Sequence, residues 1–162
     1  MNYFELYEFH VMPAVNKEML TARYRMLQRQ THPDRHTGKS AIEKQEMEEL
    51  SADVNKAYAV FKDEHKTLEY FLRVKGWMPE DEKYVLPSDF LMEMMELNEM
   101  LEVDGKEPYK QAIDRFSQEL DQSARSLLDR ADQIGEQEGK EILVPYYLKK
   151  KYLLRLLDRL KD

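Results

Sequence analysis

No cysteine occurs among the 162 residues. Disulfides, thiolate nucleophiles, Cys-ligated zinc and thiolate-held iron–sulfur clusters are excluded with it. Only 5 glycines and 6 prolines are present, which suits long helices with few turns. No stretch approaches the ~18 consecutive apolar residues of a membrane-spanning helix, and no basic segment leads into an apolar run after Met1. Neither a span nor a secretory leader is expected, and cytoplasm is the expected compartment. A glycine-rich phosphate loop and a Ser-His-Asp pattern are missing as well, so catalysis is not expected. The carboxylates, though many, fall on helical faces that water solvates.

What is present suits packed helices. Charged residues make up 35% of the chain and apolar ones 42%, enough of the latter for hydrophobic cores. The net charge of −7 is unevenly placed. Residues 1–75 carry 12 basic and 12 acidic side chains, and the remainder carries 13 against 20. Two charge regimes predict two functional units. An acidic chain is poorly suited to nucleic acid, whose binding draws most of its affinity from phosphate contacts.

Asn2 and Glu5 have capping-box spacing and predict a short helix over 3–9. Asn16 caps a second helix running to Thr31, with Leu20, Tyr24 and Leu27 as its apolar stripe, and Pro33 stops it. Residues 33–39 read as a loop. Ser40 and Glu43 open a third helix, whose inner side carries Met47, Leu50, Val54, Ala57 and Phe61. A fourth covers about 64–75 and ends at Gly76. Residues 76–87 read as an elbow. Helices follow at about 89–103, 109–134 and 144–160, with Asp104-Gly105 and Pro108 as the break between the first two and Gly135 and Gly139 loosening the chain between the last two. No strand-like alternation survives. The predicted fold is all-α, a helical head over 1–75 and a three-helix bundle over 88–162.

His32-Pro33-Asp34 is the most informative spot. Pro33 fixes its own φ and restricts His32, so His32 and Asp34 sit on a stiffened turn that loses little entropy on docking. Asp34 is a ready partner for an arginine across an interface. On the preceding helix Thr21, Arg25, Gln28, Arg29 and His32 share the face opposite the core stripe. Arg25, Arg29, Arg35 and Lys39 thus make a basic strip that leads into the loop and suits an acidic protein partner. Two blander readings stand beside this one: His32 as a helix C-cap, and the strip as a solvated face. His32 and His36 have the i, i+4 spacing of a metal pair, but Pro33 breaks the helix such a pair needs, so no metal is expected.

A His-Pro-Asp turn after such a helix, with Val54-Asn55-Lys56-Ala57-Tyr58 in the next one and Tyr3-Phe4-Glu5-Leu6 at the start, resembles the J domain. Leu68-Glu69-Tyr70-Phe71-Leu72 before Gly76 and Phe90-Leu91-Met92-Glu93 after the elbow narrow the resemblance to J-domain co-chaperones of the HscB type. Thr67, Leu68 and Phe71 depart from that family's usual fourth helix, and the Cys pairs of some eukaryotic relatives are lacking. The resemblance implies a non-catalytic adaptor without a cofactor. Its head, through His32, Pro33, Asp34, Arg25, Arg29 and Arg35, would engage an HscA- or DnaK-type ATPase chaperone and stimulate hydrolysis. Its bundle would hold an IscU-type iron–sulfur scaffold. The alternative is a general J protein that hands unfolded clients to the chaperone.

The 89–103 helix adds an argument of its own. Set at about 100° per residue, Phe90, Met94, Leu97 and Leu101 form one stripe, while Leu91, Met92, Met95, Glu96 and Glu99 fall opposite. One amphipathic helix needs a single apolar stripe. Either the second stripe has no partner, because the bundle covers both sides or the methionines are solvent-exposed accidents, or it is a docking surface of flexible methionines ringed by glutamates. The HscB resemblance implies the docking surface and adds Tyr152 to the scaffold-binding set.

Overall fold

The capping box at Asn2 forms as its spacing predicts: the Asn2 side chain accepts from the Glu5 N–H, and the Glu5 carboxylate accepts from the Asn2 N–H. The computed structural model describes residues 1–161, all of them helix, turn or coil with no strand. The chain divides into two compact units, Met1–Val74 and the residues from Lys75 onward.

In the first unit α1 (Tyr3–Leu6), α2 (Lys17–Thr31), one 3-10 turn (Pro33–His36), α3 (Ala41–Phe61) and α4 (Glu64–Val74) follow in order. The first helix is shorter than expected because Glu8 adopts a left-handed conformation, φ 56°. Its neighbours then close the helix: Phe9 N–H donates to Phe4 O and Glu8 N–H to Glu5 O. Helices α2 and α3 form an antiparallel hairpin. At one end the Lys17 ammonium donates to the Phe61 and Lys62 carbonyls at 3.0 and 2.9 Å, a cation on a helix C-terminus. Midway along α2 the Tyr24 ring stacks on Tyr58, centroids 4.0 Å apart, and its hydroxyl donates to Asn55 Oδ1 at 2.8 Å. Leu20, Leu27, Val54, Ala57 and Phe61 are buried with Phe4 and Tyr7. The Tyr7 hydroxyl donates to Val54 O at 2.7 Å, and burial, reinforced by the nearby Tyr24 and Tyr58, pushes its pKa up.

The second unit holds α5 (Ser88–Asp104), α6 (Lys106–Asp129), a 3-10 turn (Ala131–Gln133), α7 (Glu136–Glu138), a π-turn (Gly139–Leu143) and α8 (Val144–Leu160). Phe90, Met94 and Leu97 of α5 pack with Tyr109 and Ile113 of α6 and Leu153 and Leu156 of α8. The pairs Asn98–Tyr109 and Phe90–Phe116 run α5 antiparallel to α6. Tyr146 to Asp121 and Lys150 to Ser117 do the same for α6 and α8. Helix α6 starts and ends earlier than the expected 109–134. Pro108 does not break it but sits in its first turn, where its missing N–H has no helical acceptor in any case.

Gly139 departs further from expectation. It is helical and buried, and a Cβ there would penetrate the Trp77 ring. The residue is a close approach rather than a loosening. Pro145 has no N–H for the Glu141 carbonyl, and the turn before it widens so that Val144 N–H reaches Gly139 O. Trp77, at the start of the segment read as an elbow, is buried beside Gly139, and Met78 after it is buried as well.

Candidate functional surfaces

Thr31 is the last helical residue of α2, and its hydroxyl donates back to Leu27 O at 2.9 Å. His32 then leaves the helix, as a residue before proline must (ψ 135°). Its ring caps the next turn: Nδ1 accepts from the Asp34 N–H at 3.2 Å. With Nδ1 occupied as an acceptor, the proton of a neutral ring lies on Nε2. The 3.6 Å approach of Nδ1 to the Asp34 carboxylate is therefore no ion pair in that state. The Asp34 side chain is 90% exposed and free to meet a partner.

Arg25, Gln28, Arg29, His32, Asp34 and Arg35 line one open groove of about 590 Å³. Pro33 lies across the turn, on a smaller cleft of about 250 Å³ that it shares with Asp34, His36, Lys44 and Glu48. Asp34 thus stands between two concave surfaces. His36 is not paired with His32: its ring turns inward, Nε2 2.8 Å from Gln30 O. No group of three metal-ligating side chains occurs among the described residues. Sequence reasoning missed this inward role, since i, i+4 spacing says nothing once a proline intervenes.

In the second unit α5 presents two unlike sides. Phe90, Met94 and Leu97 are buried, whereas Leu91, Met92 and Met95 are 37%, 65% and 63% exposed. Glu96 and Glu99 are exposed with them. Tyr152 is placed differently. Its ring is half-buried and edge-on to Phe90, centroids 5.8 Å apart, on the core side of α5 rather than the exposed one. A core aromatic and a partner-facing aromatic give the same signal in a sequence.

A co-chaperone protein HscB homolog of Shewanella baltica is 31% identical over 166 residues, which cover 99% of this chain and 95% of the relative. The chain belongs to the HscB co-chaperone family. A family model described as the HSCB C-terminal oligomerisation domain matches residues 86–161. The chaperone HscB from Vibrio cholerae superposes with a TM-score of 0.68 at 26% identity, covering 99% of this chain and 96% of that one. Human co-chaperone protein HscB gives 0.70 at 28% identity, covering 98% and 82%. The first unit is accordingly the J domain of an HscB protein, and the second its C-terminal helical bundle. The residues that carried the J-domain resemblance have visible packing roles: Val54 and Ala57 are buried, while Asn55 and Tyr58 hold Tyr24 of α2.

Proposed function

We propose that this protein binds an IscU-type iron–sulfur scaffold through its C-terminal bundle, delivers it to an HscA- or DnaK-type chaperone, and stimulates that chaperone's ATPase through the J domain. The observation that carries the proposal is the pairing of two exposed surfaces on one HscB-family chain. One is an acidic residue on a proline-stiffened turn beside a basic groove. The other is an apolar face of α5 bordered by glutamates. Membership of the family supports the partners named.

In this reading no residue does covalent chemistry. The J domain accelerates hydrolysis by binding the hydrolysis-competent state of the chaperone more tightly than its resting state, since only such a differential lowers a barrier. Arg25, Arg29 and Arg35 steer the encounter, and Asp34 makes the charge-assisted contact that the stiff turn holds ready. Leu91, Met92 and Met95 supply the apolar contact to the scaffold, with Glu96 and Glu99 selecting its charge. The iron–sulfur cluster is the scaffold's cargo. No described helix is long and apolar enough to cross a membrane, and the cytoplasm is the proposed compartment.

The test is the steady-state ATPase rate of the chaperone with this protein, measured with and without scaffold. Stimulation by the protein alone and a further rise with scaffold are expected. Equal enhancement by native scaffold and a denatured model client would favour a general client carrier instead.

A further inference from the structure

We infer that His36 is a positioning residue for the His-Pro-Asp turn: its imidazole ties the far side of the turn to the last turn of α2 and so fixes where Asp34 stands. The inference rests on the function proposed above for that turn. Its starting point is the fate of the α2 carbonyls. In a continuing helix, residues 33 and 34 would donate to the carbonyls of Arg29 and Gln30. Pro33 has no N–H, and the Asp34 N–H is diverted to His32 Nδ1. The next amide, Arg35 N–H, donates to His32 O at 3.0 Å. Gln30 O is left to the His36 ring, whose Nε2 lies 2.8 Å away. A carbonyl only accepts, so Nε2 carries the proton.

The other ring nitrogen shows what the imidazole is for. His36 is 7% exposed, and its Nδ1 is buried without a hydrogen-bond partner. An apolar ring would fill the same space without orphaning a nitrogen, so packing alone does not account for a histidine here. What histidine adds is the Nε2–H donor to Gln30. The two imidazoles then brace the turn from opposite sides. His32, exposed, holds the Asp34 amide, and His36, buried, draws the end of the turn back onto α2. Asp34 lies inside the loop this closes. Its carboxylate is free of the tether, but its backbone is not.

The experiment compares chaperone ATPase stimulation by wild type, His36→Phe and His36→Gln over a full titration, with helical circular dichroism alongside. Phe keeps the ring and removes the donor, and Gln restores a donor. His36→Phe should lower maximal stimulation by roughly fivefold to tenfold, the size of one lost hydrogen bond, with little change in half-saturating concentration. His36→Gln should recover most of the loss. Folded His36→Phe that stimulates like wild type overturns the inference. Should His36→Phe not fold, the imidazole nitrogen NMR shifts of wild type decide. A proton on Nε2 supports the tether, and a proton on Nδ1 overturns it. A wild-type chain that stimulates no chaperone overturns the proposed function instead. Amide exchange at Asp34 and Arg35 then judges the tether: faster exchange in His36→Phe but not in His36→Gln supports it, and equal exchange overturns it.

Discussion

In the proposed function the J domain offers its partner groups on one turn, whereas the bundle spreads its own along one side of α5. On the turn, Pro33 and the His32 ring confine the backbone of Asp34, so its carboxylate is presented from a defined backbone position between two clefts. On α5 nothing comparable confines Met92 or Met95, whose unbranched side chains are mostly exposed and free to adapt. A fixed charge suits recognition that must distinguish two states of one partner. A deformable apolar face suits affinity for a surface of less strictly defined shape. The difference predicts where single substitutions act sharply and where they act by degrees.

Asp34→Asn should have the largest effect. It removes the charge and leaves the amide that His32 holds, so the turn keeps its shape. Chaperone stimulation should fall to background while helical circular dichroism and scaffold binding remain. Near wild-type stimulation by this variant would show that the turn is not the contact.

The two sides of α5 provide the next comparison. Leu97→Ala removes a buried core side chain and should lower stability by about 2–5 kcal/mol. Truncating Met92 and Met95 together should weaken scaffold binding by about 1–3 kcal/mol in sum and move the unfolding temperature far less. Reversing Glu96 and Glu99 to Lys should also harm scaffold binding, leaving scaffold-independent stimulation intact. Calorimetric titration beside thermal unfolding separates these outcomes. A double methionine variant that binds normally but unfolds early would place the docking surface elsewhere.

Gly139→Ala probes a site in the bundle outside both proposed contact surfaces. A methyl group there must displace the Trp77 ring, at a cost typical of overpacking, about 1–3 kcal/mol. Trp77 is the only tryptophan in the chain, so its emission reports the displacement. Unchanged emission and stability would mean that the ring yields freely.

These sites also mark how far the sequence could be read. Caps and stripes were legible: Asn2, Asn16 and Ser40 cap helices as their spacing predicts, and the two sides of α5 separate as the wheel places them. Such signals depend only on residues a turn or two apart. Features set by distant residues were not legible. Gly139 reads as a flexible spot until Trp77, sixty-two positions earlier, is found against it. Pro108 reads as a break until the one-residue turn at Gly105, φ 89°, moves the start of α6 ahead of it. His36, already set apart from His32 by Pro33 in the sequence, has no legible role until its ring is found against Gln30 O. At the candidate sites the chemistry lay in a tripeptide and a periodicity, but the residue that braces the turn, and Tyr152's place on the core side, needed coordinates.

The smallest effect is expected from the basic groove. Arg25 and Arg29 are exposed on α2, where water and salt weaken any charge they offer. Attraction between exposed charges is largely screened beyond about 10 Å at 0.1 M ionic strength, so under the proposed function these arginines should act on the approach of the chaperone more than on the docked complex. Arg25→Ala or Arg29→Ala should therefore slow association and raise the half-saturating concentration by a few-fold, about 1 kcal/mol or less, leaving maximal stimulation near that of wild type. Added salt should mimic either substitution in wild type and have less effect on the variants. Asp34→Asn should behave oppositely, losing maximal stimulation at every salt concentration. If stimulation by wild type does not depend on salt, the strip is a solvated face and the turn alone carries the contact. If Arg25→Ala instead abolishes maximal stimulation, the arginine is part of the docked contact, and the division between a steering strip and a fixed carboxylate is wrong.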